Sequence, residues 1–128
     1  MTTYTYRLPW PPSMNTYWRR GPHVTYLTAK AKEFRHFVFS EVVEQNARDR
    51  HTPFIKLEGR LAVLIELTAP DKRKRDLDNH VKAVLDALEH AGVYENDSQI
   101  DELRVKRLHV ESPGCCDVTI TELTTEAT

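Results

Sequence analysis

The sequence predicts an α+β fold: one domain over residues 1–128 in the order βαβαββ, with a mixed four-stranded sheet packed against two helices. Three observations predict it. A chain of 128 residues has room for one hydrophobic core, since domains usually run to about 100 to 200 residues. Two stretches carry apolar residues at helical spacing, and the stretches around them carry apolar residues in alternation. Prolines, glycines or a capping threonine stand at the boundaries.

Thr3 to Leu8 puts Tyr4, Tyr6 and Leu8 on one side and Thr3, Thr5 and Arg7 on the other, the period of a half-buried strand. Pro9-Trp10-Pro11-Pro12-Ser13 then stays non-helical, because proline lacks an amide donor and pushes its predecessor to extended geometry. The stretch carrying Asn15, Tyr17, Trp18, Arg19 and Arg20 reads as a loop. Thr28 N-caps a first helix in which Phe34, Phe37, Val38 and Val42 face the core, and which ends before Thr52-Pro53. Leu57, Leu61, Val63, Ile65 and Leu67 alternate with Glu58, Arg60, Glu66 and Thr68 in a second strand that stops at Ala69-Pro70. Val81, Val84, Leu85 and Leu88 recur at i, i+3, i+4 and i+7, and Gly92 supplies a left-handed closing residue, so a second helix spans roughly Asn79 to Ala91. Leu103 and Val105 share one parity and Leu108 and Val110 the other, which predicts a third strand bulged near Lys106-Arg107. Ser112-Pro113-Gly114 turns the chain into a fourth strand, where Cys116, Val118 and Ile120 alternate with Asp117, Thr119 and Thr121. Residues 124–128 read as a frayed tail.

Composition narrows the function. Hydrophobic residues are 40% and charged residues 29% of the chain, ordinary for a soluble globular protein. No apolar run approaches the ~20 residues of a membrane span, and Met1 to Leu8 lacks the basic-then-apolar order of a signal peptide, so the expected compartment is the cytoplasm, with no membrane partner. Cys115 and Cys116 are adjacent, without the spacing of a zinc site, and are expected to be reduced and structural. The glycine-rich phosphate loops of the Walker and Rossmann kinds are absent. A net charge of −1 excludes bulk electrostatic binding of nucleic acid in the histone manner. The charges are nevertheless segregated: Met1 to Lys82 holds 15 basic and 9 acidic residues, and Ala83 onward 3 and 10. A phosphate-binding face can draw on the first part, because local potential steers a ligand.

The most unusual segment runs from Asp71 to Lys82, where Lys72, Arg73, Lys74 and Arg75 precede Asp76 and Asp78. Acids beside a phosphate-binding run repel the phosphates that the cations attract, so they need another purpose. If Asp76 to Asp78 is extended, the two carboxylates point to one side with Cα atoms about 6.6 Å apart, at ~3.3 Å of rise per residue. In a helix they would diverge by about 200°, so the second helix is expected to begin at or after Asp78. Hard carboxylate oxygens suit Mg²⁺ or Mn²⁺ completed by waters and a substrate phosphate. Asp97, in the return turn after the helix, is the candidate third ligand, although a helix of thirteen residues rises ~20 Å and Asp97 has to come back along it or arrive from another chain. Lys82, four residues after Asp78, is placed to stabilise charge developing on a phosphate. Competing structural roles exist for each: Asp76 or Asp78 as the N-cap of the helix, and Asp78, Lys82 and Asp86 as an i, i+4 ladder worth about 0.2 to 0.5 kcal/mol per pair. The histidines, His80 included, lack metal spacing and read as surface residues. Trp10, Tyr17 and Trp18 are either packing residues or platforms for unpaired bases.

Arg75-Asp76-Leu77-Asp78-Asn79-x-x-Lys82-Ala83-x-x-Asp86-Ala87-Leu88, followed by Asp97-Ser98-Gln99-Ile100, resembles the RusA family of Holliday junction resolvases, as does the opening Leu8-Pro9-Trp10-Pro11-Pro12-Ser13-x-Asn15-x-Tyr17. The resemblance covers about residues 4 to 123. It implies a homodimeric, Mg²⁺-dependent endodeoxyribonuclease, with Mn²⁺ a possible substitute, that cuts four-way DNA junctions symmetrically. On this resemblance Asp76, Asp78 and Asp97 hold the metal and Lys82 is the catalytic lysine. Lys72, Arg73, Lys74, Arg75, Asn15, Tyr17, Arg19, Arg20 and Asn79 are the expected DNA contacts. One departure is Asn96, where members often carry an acid before the position of Asp97. Phe34, Phe37 and Val38 are an apolar face able to serve a dimer. Two other readings stand beside it: a non-catalytic branched-DNA-binding module in which the acids only cap a helix, and a D-x-D sugar-nucleotide transferase, which needs a larger nucleotide-binding domain.

Overall fold

The computed structural model describes residues 2–123. Along the chain lie β1 (Thr3–Pro9), β2 (Trp18–Arg20), β3 (Thr25–Leu27), α1 (Ala29–Arg50), β4 (Leu61–Thr68), α2 (Val81–His90), β5 (Ile100–Arg107) and β6 (Cys115–Glu122). The main sheet has the order β1-β6-β4-β5, antiparallel except between β4 and β5. Parallel neighbours need a crossover, and α2 supplies it.

β4 buries Leu61, Val63, Ile65 and Leu67, and β6 buries Cys116, Val118 and Ile120, the alternation of strands covered on one face. Phe34, Val38 and Val42 from α1 and Val84, Leu85 and Leu88 from α2 close the same core. Each such side chain contributes about 1.5 to 3 kcal/mol when removed from water. Thr28 caps α1 by accepting from the Ala31 amide at 3.2 Å. Gln45, buried on α1, donates to the Arg7 carbonyl and accepts the Arg7 amide, each at 2.9 Å. It thereby pairs the outer edge of β1 in the way a further strand would. Tyr6 Oη donates to Asn46 Oδ1 at 2.7 Å, so the buried polar atoms on this side of α1 are satisfied.

α2 ends as expected. Gly92, at φ 81°, lets the Val93 amide reach the Leu88 carbonyl at 3.1 Å and its own amide reach that of Glu89 at 3.0 Å, the pairing of a Schellman motif.

The structure corrects five expectations. The stretch from Trp18 to Leu27 is not all loop: β2 and β3 form a two-stranded hairpin closed by the Gly21 amide on the Val24 carbonyl at 2.6 Å. It escaped the alternation test because five of its six strand residues are exposed. The second strand starts at Leu61, and Leu57 makes only an isolated bridge to Tyr94. The bulge lies at the start of β5, where pairing slips between Leu61 and Ala62; register is continuous from Leu103 to Arg107, and the strand ends there. The change of parity at Leu108 marks the end of a strand rather than an insertion within it. Phe37 points outward, 47% exposed, while its neighbours Phe34 and Val38 are in the core. α2 begins at Val81, after a 3₁₀ turn over Leu77–His80. The expected frayed tail lies outside the described residues.

Gly114, at φ 85°, packs against the chain leaving β4, and a Cβ there would sit 2.9 Å from Pro70 Cδ and 3.0 Å from the Thr68 carbonyl oxygen. At Gly92 the same addition meets nothing within 4 Å. Gly92→Ala therefore carries only the left-handed backbone penalty of roughly 1 to 2 kcal/mol, and Gly114→Ala carries that penalty plus the clash. Urea unfolding is expected to rank the two variants in that order.

Candidate active site

Parallel pairing puts the C-terminal ends of β4 and β5 at one end of the sheet, beside the end of β1. There the segment from Asp71 to Asp76 leaves β4 and forms one wall of a cleft of about 740 Å³, shared with Trp10, Leu77, Asn79, His80 and Arg107. Arg75 is spent on building this wall. Its side chain, 18% exposed, pairs with Asp71 Oδ1 at 2.8 Å and lies 5.4 Å from the Trp10 ring centroid, while Arg107 donates to its carbonyl at 2.7 Å. Lys72, Arg73 and Lys74 stay exposed, Arg73 making only a loose 3.5 Å contact with Asp71. His80 is buried, contrary to expectation: its Nδ1 donates to the Pro11 carbonyl at 3.0 Å and its ring packs 4.8 Å from Trp10. The proline-rich segment is thus fastened to the entry of α2.

Asp76 is extended, at φ −75° and ψ 132°, and its carbonyl accepts the Asn79 amide at 3.2 Å, which opens the 3₁₀ turn. Asp78 lies inside that turn, so the two aspartates do not share a fully extended segment. The α-helix does begin after Asp78, as expected, but one tight turn precedes it. Asp76 occupies the N-cap position without a side-chain capping bond. The i, i+4 ladder is also absent, since Lys82 pairs with Asp97 and Asp86 with Arg35. Among the described residues, neither Asp76 nor Asp78 has a side-chain hydrogen bond or ion pair, and both are exposed.

Lys82 Nζ donates to Asp97 Oδ2 at 2.6 Å, and this bond raises its pKa. The long return of Asp97 is solved by a short helix. α2 has ten residues, about 15 Å at 1.5 Å each, and the turn after Gly92 lies against its flank. The Asp97 amide donates to Glu89 Oε1 at 2.9 Å, and Lys82 reaches the carboxylate from the other end of the helix. Asn96 accepts the Ser98 amide at 2.8 Å and Gln99 closes a capping box. Position 96 therefore serves the turn as a neutral acceptor. Among the described residues no three carboxylate, imidazole or thiol groups converge closely enough to hold a metal. The structure brings Asp97 to Lys82 and leaves Asp76 and Asp78 at the head of the same helix.

Tyr17, expected on the DNA, is fully buried. Its hydroxyl donates to Asp86 Oδ2 at 2.6 Å and accepts from Arg35 Nε at 3.1 Å, and Arg35 also pairs directly with Asp86. Burial, then the bond to Asp86, pushes the Tyr17 pKa up to about 12. Burial alone would raise the Asp86 pKa, but the hydrogen bonds from Arg35 and Tyr17 outweigh it and hold the carboxyl below its usual range. This cluster joins the base of the hairpin to both helices, and no sequence spacing signals it. Asn15, Trp18, Arg19 and Arg20 are exposed around it.

A family model described as Endodeoxyribonuclease RusA matches residues 9–121. The chain belongs to the RusA endodeoxyribonuclease family. Curated relatives agree over nearly their whole length. A crossover junction endodeoxyribonuclease RusA of Enterobacteria phage HK97 is 40% identical over 123 residues, covering 96% of this chain and 98% of that one. Proteins of the same name from Shigella sonnei strain Ss046 and Escherichia coli strain K12 are each 37% identical over 126 residues, 98% of this chain and all of theirs. The RusA match spans the hairpin, the basic cleft wall, Lys82 and Asp97 alike.

Because Asp86 is ionised in the fold at a pH where the unfolded chain takes up a proton, its stabilisation is present above the unfolded carboxylate pKa of about 4 and lost as pH falls through the lower folded value. Asp86→Asn is expected to remove that part of the acid destabilisation, and Tyr17→Phe to cost about 1 to 3 kcal/mol by removing one of the two partners of a partly buried carboxylate that Arg35 still holds. Chemical denaturation from pH 3 to 7 measures both.

Proposed function

We propose that this chain is an endodeoxyribonuclease that resolves four-way DNA junctions, cutting phosphodiester bonds with a divalent cation, Mg²⁺ or Mn²⁺, held by Asp76, Asp78 and Asp97. Membership of the family supports the reaction and the substrate class. The observation that carries the metal reading is the state of the two leading aspartates: neither caps the turn it opens nor pairs with a cation, although four basic residues precede them. A carboxylate left without a partner beside such a run adds nothing to folding and repels DNA, unless a cation sits between it and the phosphate. The donor set is all oxygen, which fits Mg²⁺ or Mn²⁺ and not a thiolate-seeking metal.

When bound, such an ion supplies a nucleophile from water at neutral pH and neutralises charge on the phosphate. The chain's own residues do the rest. Asp76 and Asp78 offer oxygens at the head of α2, and Asp97 offers one from its flank; the three stand apart in the fold, so binding would have to draw them together as Lys82 releases Asp97. Lys82, protonated and 53% exposed at its side chain, can turn its ammonium from Asp97 to the phosphoryl oxygens and stabilise charge there. Lys72, Arg73 and Lys74 hold neighbouring phosphates on the cleft wall, with Asn79 beside them and Asn15, Arg19 and Arg20 on the hairpin side. Arg75 acts one step back, keeping that wall in shape. One chain carries one such site, and a junction of near-twofold symmetry needs two paired incisions, so the active species is a homodimer.

The test is a gel assay with a synthetic four-way junction and a linear duplex, in Mg²⁺ or in chelator. Paired symmetric nicks in the junction alone, and only with metal, are expected; cleavage in chelator, or equal cutting of duplex, overturns the proposal. Asp76→Asn is expected to lose cleavage by orders of magnitude while junction binding persists or tightens, since one negative charge is removed near phosphate. Retained nicking by that variant would exclude the metal role of Asp76. Sedimentation at micromolar concentration should return twice the chain mass.

A further inference from the structure

We propose that Glu89 is a positioning residue for Asp97, resting on the reading of Asp97 given above. The first amide of a tight helical turn has no partner within the turn, and in the turn Asp97–Gln99 the Asn96 side chain takes the Ser98 amide instead. The Asp97 amide is satisfied from outside, by Glu89 Oε1 at 2.9 Å. Glu89 stands two helical turns after Lys82 on the same side of α2 and is half-buried. A single carboxylate therefore ties the backbone of Asp97 to the helix that carries Lys82 and follows Asp78.

The other restraints on this turn come from elsewhere. Gln99 Nε2 donates to the carbonyls of Leu57 and Gly59, each at 3.0 Å, and its Oε1 accepts the amides of Glu95 and Asn96. Those bonds fix the turn against the approach to β4. Among the described residues, the hydrogen bonds from Asp97–Gln99 itself to α2 are the Glu89 bond and that of the Lys82 side chain, while Tyr94 Oη on the Leu85 carbonyl at 2.6 Å anchors the segment before the turn, and Lys82 is the group that has to leave Asp97 to meet a phosphate. When it does, Glu89 remains to hold the distance between Asp97 and the head of the helix. The Glu89 carboxylate acts through its oxygen as an acceptor, with no contact to metal or DNA required.

This makes the role separable from that of a ligand. Glu89→Gln keeps an oxygen acceptor of the same reach, and Glu89→Ala removes it. Mn²⁺ affinity by calorimetry and single-turnover cleavage of a four-way junction are measured on both variants, with thermal unfolding to establish that each is folded. Outer partners of metal ligands typically cost 10- to 100-fold in metal affinity or activity when removed. Glu89→Ala is expected to lose about that much in both, and Glu89→Gln to stay close to the parent. A folded Glu89→Ala with parental affinity and rate overturns the proposal. So does Glu89→Gln falling as far as Glu89→Ala, which makes the charge rather than the acceptor the requirement. Asp97→Asn is run alongside: parental affinity and cleavage in that variant remove Asp97 from the site itself, a failure of the functional reading distinguishable from a failure of Glu89.

Discussion

The burial of one face of α2 is the constraint on which the rest of the molecule depends. Val81, Val84, Leu85 and Leu88 are sealed against the sheet and α1, at about 1.5 to 3 kcal/mol each, and rotation of the helix would expose several of them at once. Lys82, Asp86 and Glu89 are committed by the same step to the opposite side. Two neighbours then take them up: the turn at Asp97 for Lys82 and Glu89, and α1 with the base of the hairpin for Asp86. The apolar face sets the rotation, and the polar face converts that rotation into a fixed spacing of charged groups.

Charge is handled in two contrasting ways. Where Asp86 is drawn partly out of water it is matched by both Arg35 and Tyr17, since an unpaired charge at that depth costs more than a hydrogen bond returns. At the head of α2 the opposite holds, and Asp76 and Asp78 stay in water without a partner among the described residues. Water solvates them cheaply, so leaving them unpaired costs the fold little while keeping their oxygens available. The wall beside them is divided as well, with Arg75 turned inward to Asp71 and Trp10, and Lys72, Arg73 and Lys74 facing solvent.

Much of the fold was legible because its signals are local. Period-two burial in β4 and β6, the i, i+3, i+4, i+7 face of α2, the Thr28 cap and the left-handed Gly92 each follow from a few consecutive residues. The hairpin was missed because exposed strands carry no alternation, and its turn at Gly21-Pro22 was the one available mark. Leu103 misled because β5 is an edge strand whose side chains are largely exposed, so parity there reports little about burial. His80 was misplaced because a lone histidine gives no sign of the carbonyl it will find, here that of Pro11, sixty-nine residues away.

The sequence by itself determined the order of the two helices and of the four strands of the main sheet, most of the apolar residues of the core, the acidic and basic composition of the segment before α2, and through its motifs the family. These depend on neighbours within a helical turn or a strand, and their physics is readable from spacing. Only the tertiary structure decided that Tyr17 turns inward to Asp86, that Lys82 pairs with Asp97 and not with Asp78, that Arg75 braces the cleft, and that Glu89 holds the Asp97 turn. Each of those choices selects one of several partners of equal local merit. Selection among them is made by the distances that packing of α1, α2 and the sheet imposes between residues far apart in the chain.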